Sequence, residues 1–287
     1  MAVDPELTAV LEGAPHLYVA MRTKSGPNVT PELFTQSGGR IICMTSVATL
    51  KAKLLQRDPV VSIAARSGTR AVTVVGTVEV VDAASPRTIA QAPAVAAGSP
   101  LGVARFLRDN AAELAGAAVD TLAGRLGGPI PPRRLILAVT PRDAVVWDTP
   151  SLPDGTGDNS APLDLGVLPD ELAALPATGD AIAGWTRADG TPLALPVVWD
   201  HDRQEAVLPT SILRDFDAAP RSAACVTFDT WTGYGPSGKQ GVMLRGIGTA
   251  EEDGATTRLR LDLDRATWWD GVETSSEPLT GTPVPPR

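Results

Sequence analysis

The chain has 287 residues, 43% of them hydrophobic, with 25 Lys and Arg against 33 Asp and Glu and a formal net charge of -8. That length suffices for one large domain or two ordinary ones, and the composition can bury a core, which excludes wholesale disorder. An acidic surface repels a phosphate backbone, so nucleic acid is excluded as a general partner, although a local basic pocket can still hold one phosphate. Cys43 and Cys225 sit in apolar, strand-like runs and read as buried free thiols. His16 and His201 form no cluster with cysteine at metal-ligand spacing, so no metal site is expected. No apolar run is long enough to cross a bilayer and the N-terminus lacks a signal-peptide pattern, so a cytoplasmic protein without membrane partners is expected.

In chain order, residues 17–21 predict a strand, and the cluster Lys24, Ser25, Gly26, Pro27 a turn. Strands over 29–35 and 40–45 follow, joined by Gly38 and Gly39, a meander signal. The period then changes: Val47, Leu50, Leu54 and Leu55 share one helical face, Ser46 can cap the helix, and Asp58 and Pro59 end it. Val-rich strands are predicted over 60–65 and 71–81. The Ala-rich stretch 83–132 reads as a helical insertion, with helices over 101–114 and 117–126. Strands over 135–139 and 144–147 close a first domain spanning 1–148. A linker is predicted over 149–175, a second domain over 176–275 and a disordered tail over 276–287.

The second domain repeats the first. Aligning Arg22 with Arg187 brings Pro27 onto Pro192, Pro31 onto Pro196, Phe34 onto Trp199, and Thr45-Ser46 onto Thr210-Ser211. After small gaps, the run from Val74 through Gly76 resembles that from Leu244 through Gly246. Likewise Arg134–Leu137 with Trp147 resembles Arg258–Leu261 with Trp269. The shared order along two halves predicts a tandem duplication. The insertion has no counterpart in the second copy. The expected fold is mainly β, an α+β arrangement of two tandem split β-barrels of six or seven antiparallel strands, with a helical insertion in the first.

The run from Thr45 through Lys51 and Lys53 to Arg57, Asp58 and Pro59, followed by Val74–Asp82, resembles the pyridoxamine 5'-phosphate oxidase-like split-barrel family, with its FMN- and deazaflavin-binding members. The resemblance covers most of residues 15–82 and is thinner in the second copy. It implies a cofactor between two barrels, with Lys51 on its phosphate and the backbone at Thr30, Pro31 and Glu32 running past its ring. The residues themselves fit: a helix N-terminus offers unpaired N–H groups, Thr45 and Ser46 add hydroxyls, and Lys51 adds a cation. A capped helix with solvated lysines is the plainer alternative, and Lys53 is expected to face solvent.

The second copy places Phe216 at the Lys51 position and lacks the Arg-Asp-Pro element, so its own phosphate site is expected to be lost, with Arg214 a poor substitute. It adds a Gly-rich loop carrying Trp231, Tyr234 and Lys239, which could face a flavin ring or a substrate across the interface, or could serve only as a hairpin with a core tryptophan. The expected function is therefore an oxidoreductase using FMN, or alternatively coenzyme F-420, on a small-molecule substrate. The cofactor would lie between the repeats of a monomeric pseudo-dimer or a homodimer. A non-catalytic cofactor-binding or scaffold protein is the alternative. Haem would need His16, His201 or a cysteine as axial ligand.

Overall fold

The computed structural model describes residues 4–47, 49–82, 93–124, 134–150, 165–178, 180–200, 203–231 and 235–279. The first repeat contains strands β1 (Leu17–Thr23), β2 (Gly26–Glu32), β3 (Phe34–Ser37), β4 (Arg40–Ser46), β5 (Val60–Ser67), β6 (Arg70–Val81) and β7 (Arg134–Asp148). They pair antiparallel in the order β2-β1-β5-β6-β7-β4-β3. Only Leu33 separates β2 from β3, so the two act as one bent strand, and the ladder closes on itself. The second repeat contains β8 (Asp180–Thr186), β9 (Pro192–Asp200), β10 (Glu205–Pro209), β11 (Arg221–Trp231), β12 (Lys239–Asp253), β13 (Thr256–Asp270) and β14 (Glu273–Pro278). Its order is β10-β9-β8-β11-β12-β13-β14, and β10 also pairs with β13, which closes the ring. Closure removes the unpaired edges that short Val-rich strands would otherwise expose.

The duplication is explicit in the ladders. In each repeat the register shifts at one place, between Val75 and Gly76 and between Arg245 and Gly246. Trp147 opposite Ala71 matches Trp269 opposite Gly241. Elsewhere the sequence alignment slips by one or two residues. Arg22 lies opposite Pro27, whereas Thr186 and not Arg187 lies opposite Pro192. Phe34 pairs with Cys43 and Trp199 with Ala206, so the β9–β10 hairpin is two residues shorter and Thr45 corresponds to Leu208, not Thr210. Cys43 pairs with Leu137 and Ala206 with Leu259, so Arg134–Leu137 corresponds to residues 256–259. Slips of two preserve which face a side chain takes, and the core pattern survives them.

Each barrel is filled from alternate strand positions. Leu17, Val19 and Met21 point into the first barrel beside Val61, Ile63, Val72 and Val74. Helix α1 (Pro5–Gly13) caps that barrel with Leu7, Val10 and Leu11; it starts where Asp4 accepts from the Glu6 N–H at 2.9 Å and Pro5 takes the first position. Trp185, Trp199, Phe216 and Phe228 fill the second barrel. Ala20, Val29 and Ala64 turn outward onto Ile182, Ala194, Cys225 and Met243, so the barrels meet through a layer of mostly small side chains. Thr73 donates to the Ala194 carbonyl at 2.6 Å and the Ala194 N–H to Ser62 at 3.0 Å, which satisfies buried polar groups along that seam. Both cysteines are buried and unpaired, and burial pushes their thiols up to about 12 for Cys43 and about 11 for Cys225.

Three segments differ from expectation. The insertion forms α3 (Pro93–Asp109) and α4 (Ala111–Leu122), which meet at Asn110, whose side-chain amide donates to the Phe106 and Phe34 carbonyls. Leu165, Leu168 and Leu172, the last on α5 (Asp170–Ala173), sit in the second barrel's core, so the end of the expected linker packs as part of that repeat. Residues 276–278 belong to β14 and Leu279 is buried, so the tail is ordered to that point; 280–287 lie outside the described residues. Among the described residues, no helix is long and apolar enough to cross a membrane.

Candidate functional site

A cavity of about 750 Å³ opens between the first repeat, its insertion and the second repeat. Pro31, Glu32 and Leu33 bring in the bend between β2 and β3; Met44, Thr45 and Ser46 come from the end of β4. Thr49 and, across the β4–β7 ladder from Ser46, Arg134 complete a polar end. The insertion contributes Phe106, Leu107, Leu114 and Glu113, and the second repeat Gly235, Pro236, Lys239 and Val272. Five of the expected site residues, Pro31, Glu32, Thr45, Ser46 and Lys239, thus line one cavity drawn from both repeats.

Helix α2 (Leu50–Leu55) differs from expectation in its cap and its buried face. Its N-cap is Thr49, not Ser46: the Thr49 hydroxyl accepts from the Ala52 N–H at 3.2 Å and donates to the Ser46 carbonyl at 2.9 Å. The expected apolar face is rotated, because Leu50 is 62% exposed whereas Lys51, Ala52 and Leu55 are buried. Lys51 is buried because its ammonium reaches Glu32 as an ion pair. Burial first, and the Lys239 ammonium second, push Lys51 down to about 7, while the Glu32 carboxylate in contact with it favours the charged form. Lys51 therefore stands behind Glu32 rather than in the cavity wall. Lys53 is exposed, as expected.

The corresponding helix α6 (Thr210–Asp215) buries Ile212 and Leu213, followed by Phe216. That spacing matches Lys51, Ala52 and Leu55, so Ile212 and not Phe216 occupies the Lys51 position. Arg214 points to solvent and pairs with Glu252 at 2.5 Å. No cation replaces Lys51 in the second repeat.

Trp231 does not line the cavity. His16 stacks on its ring at 4.3 Å with planes 9° apart, and Lys239 Nζ lies over the ring, 3.8 Å from its centroid. These contacts consume the ring surface that a bound flavin would need. The Trp231 indole N–H donates to Asp229 at 2.8 Å, and the Tyr18 hydroxyl donates to the other oxygen of the same carboxylate. His16 Nε2 lies 2.9 Å from the Tyr18 oxygen and 3.5 Å from Asp229. Burial and then Asp229 hold the Tyr18 phenol well above its usual range, and burial keeps His16 below 6.5 against the opposing pull of Asp229. Strand spacing alone gives no sign of this cross-repeat network, since Tyr18 and Asp229 are 211 residues apart. Tyr234 and His201 lie outside the described residues.

The insertion grips the second repeat. Glu113 accepts from the Gly235 N–H at 3.0 Å and lies 3.9 Å from Lys239, while Asp120 accepts from the Ser237 N–H at 2.9 Å and its hydroxyl at 2.7 Å. Gly235 has φ +97, and an added Cβ would stand 2.6 Å from the Gly116 carbonyl carbon and 2.8 Å from the Ala117 nitrogen. Gly235→Ala is therefore expected to release α4 from this loop and raise hydrogen exchange at 111–122, leaving both barrels protected; unchanged exchange in α4 would refute the latch.

No family model and no curated protein sequence matches the chain. Among solved structures, a conserved hypothetical protein from Mycobacterium tuberculosis is 18% identical, covering 54% of this chain and 93% of its own, with a TM-score of 0.37. A pyridoxamine 5'-phosphate oxidase-related, FMN-binding protein from Nostoc punctiforme is 17% identical, covering 52% and 87%, with a TM-score of 0.36. An F420 reductase is 20% identical, covering 48% and 94%, with a TM-score of 0.29. The chain is thus similar, over about half its length in each case, to pyridoxamine 5'-phosphate oxidase-related and F420 reductase structures.

Proposed function

We propose that the chain binds one flavin- or deazaflavin-type cofactor in the cavity between its repeats, FMN first and coenzyme F-420 second, and acts through it as an oxidoreductase on a small molecule. The observation that carries this reading is the two-ended lining of the cavity. Its volume of about 750 Å³ lies in the range of small-molecule and cofactor sites. At one end Thr45, Ser46 and Thr49 line the cavity together with Arg134, which lies across the β4–β7 ladder from Ser46 and makes no ion pair among the described residues. That donor set suits a phosphate, since a guanidinium and hydroxyls offer charge-assisted bonds to its oxygens. The remaining wall, with Leu33, Met44, Phe106 and Leu114, suits a flat apolar ring.

When bound, the cofactor would supply hydride transfer, and the chain's part is to orient it and exclude water. Arg134 and the hydroxyls hold the phosphate end. Pro31 and Glu32, with Lys51 behind it, border the ring end, Lys239 adds a cation on the second-repeat side, and Trp231 holds Lys239 in place. The acidic groups Glu32 and Glu113 in the lining favour the single phosphate of FMN over the long acidic tail of F-420. Titration of the purified chain with each cofactor, followed by fluorescence, is expected to saturate at one FMN per chain. Arg134→Ala is expected to weaken that binding roughly ten- to a hundredfold, the worth of a charge-assisted contact. Binding of neither cofactor would favour the scaffold reading instead.

A further inference from the structure

The two repeats hold opposite chemistry at one matched place. In the first, Glu32 at the end of β2 and Lys51 of α2 form a buried ion pair. In the second, the ladders equate Glu32 with Val197, because Pro31 lies opposite Tyr18 and Pro196 opposite Ile182. The buried face of α6 equates Lys51 with Ile212, and both aliphatic residues belong to the second barrel's core. The fold thus closes at this point with two aliphatic side chains and needs no charge to do so. Two charges in the same place lose their hydration, and an apolar pair of similar size is generally as stable or more so. Folding alone does not account for the charges. Glu32 differs from Val197 in one further respect: it lines the cavity.

We propose that Glu32 determines which ring the cavity accepts, by taking a hydrogen bond from a ring N–H of the ligand, while Lys51 holds the carboxylate in place. The ligand class is a heterocycle with an imide-type N–H at its edge. Flavins and deazaflavins both carry one, so the assignment rests on the cofactor reading above but not on the choice between the two. An ionised carboxylate only accepts hydrogen bonds, and it offers about four lone-pair positions. Lys51 Nζ, kept charged by the contact, takes Glu32 Oε1. Among the described residues no other donor reaches the carboxylate, so Oε2 is left to accept where Glu32 lines the cavity.

The rest of the lining leaves this role to Glu32. Glu113, the other carboxylate on the cavity, accepts from the Gly235 N–H at 3.0 Å and lies 3.9 Å from Lys239, so it is already engaged. The Thr45 and Thr49 hydroxyls bond each other at 3.2 Å, and Thr49 also caps α2. Arg134 and Lys239 only donate. An acceptor-only group also discriminates. An edge that offers a carbonyl alone, or a nitrogen whose proton is replaced by a methyl group, leaves the carboxylate oxygen unpaired, and a site built to bond a ligand N–H rejects such an analogue for that reason. Lys51 makes this acceptor compatible with a phosphate-bearing ligand, since the ammonium behind Glu32 offsets the repulsion that a bare carboxylate would add.

The test is fluorescence titration of the full chain with FMN and with N3-methyl-FMN, which lacks the imide proton and keeps the phosphate. The parent is expected to prefer FMN roughly ten- to a hundredfold, the worth of a charge-assisted hydrogen bond. The double variant Glu32→Val with Lys51→Ile, which borrows the second repeat's own pair, should keep its Tm and bind the two ligands alike. Glu32→Gln matches the parent residue in size, which separates the hydrogen bond from the space a methyl group needs. It should narrow the preference severalfold, and it is the variant read if the double variant does not fold. Arg134→Ala should weaken both ligands equally and leave the preference intact, because it acts at the other end of the cavity. Should the chain bind coenzyme F-420 and not FMN, the same comparison is made with the N3-methyl derivative of that cofactor. A parent without preference, or a preference that the Glu32 variants leave unchanged, overturns the assignment while the cofactor reading stands. Binding of neither cofactor overturns both.

Discussion

Asp229→Ala is expected to cost about 2–4 kcal/mol of stability, read as a lower midpoint in urea. The Asp229 side chain is 2% exposed and its two oxygens collect the Tyr18 hydroxyl, the Trp231 indole N–H and His16. Removing the carboxylate leaves the part-buried Trp231 N–H without an acceptor and Tyr18 with His16 alone, and a group left unpaired costs about 1–3 kcal/mol. Tyr18 cannot relieve the loss by ionising, because burial already holds its proton on. Asp229→Asn keeps one acceptor oxygen and should lose much less. If the alanine and asparagine variants prove equally stable, the network is not what joins the repeats here. Loss of Asp229 should also free Trp231 and, through it, Lys239, so cofactor affinity should fall with stability.

Gly246→Val is expected to cost about 3 kcal/mol or more, because an added Cβ would fall on the backbone oxygen of Asp262 in the facing strand. Backbone cannot rotate away as the end of a flexible side chain can. Gly76→Val meets the Thr140 oxygen at the matched bulge of the first repeat, less closely, and should cost less. Denaturation midpoints of the two variants give the order directly. A Gly246→Val chain within about 1 kcal/mol of the parent would show that the bulge can move by a residue without harm.

Glycines at matched bulges explain why the duplication is legible in the sequence: a residue that must lack a side chain keeps its place when neighbours drift. The same logic makes the strands legible, since Val-rich alternation survives slips of two. Other features were open to reading but are easily passed over. Asp4 followed by Pro5 is a helix start that α1 uses, with Leu7, Val10 and Leu11 spaced for a buried face. The rotated face of α2 was not readable, because a lysine counts as polar until its partner is known, and Glu32 lies nineteen residues earlier on a strand. Phe106, Glu113 and Leu114 were visible only as parts of helices; that they wall the cavity follows from where the insertion lands. His16 reaches its place the same way, through contacts with the far end of the chain.

The latch between α4 and the loop at 235–238 joins groups 117 to 122 residues apart. Each barrel closes through contacts within its own half, so loop-closure entropy lets either form before the latch does. The cavity is then the last part of the molecule to assemble and the first to open. A nascent chain that has emerged only through the first repeat carries the hydroxyls, Arg134 and Lys51 but no far wall, and holds no finished site. Fusing the halves with one insertion also breaks their symmetry for good. Where two equal subunits would present two matched cavities, the cavity described here is walled by unlike elements, with the insertion on one side only.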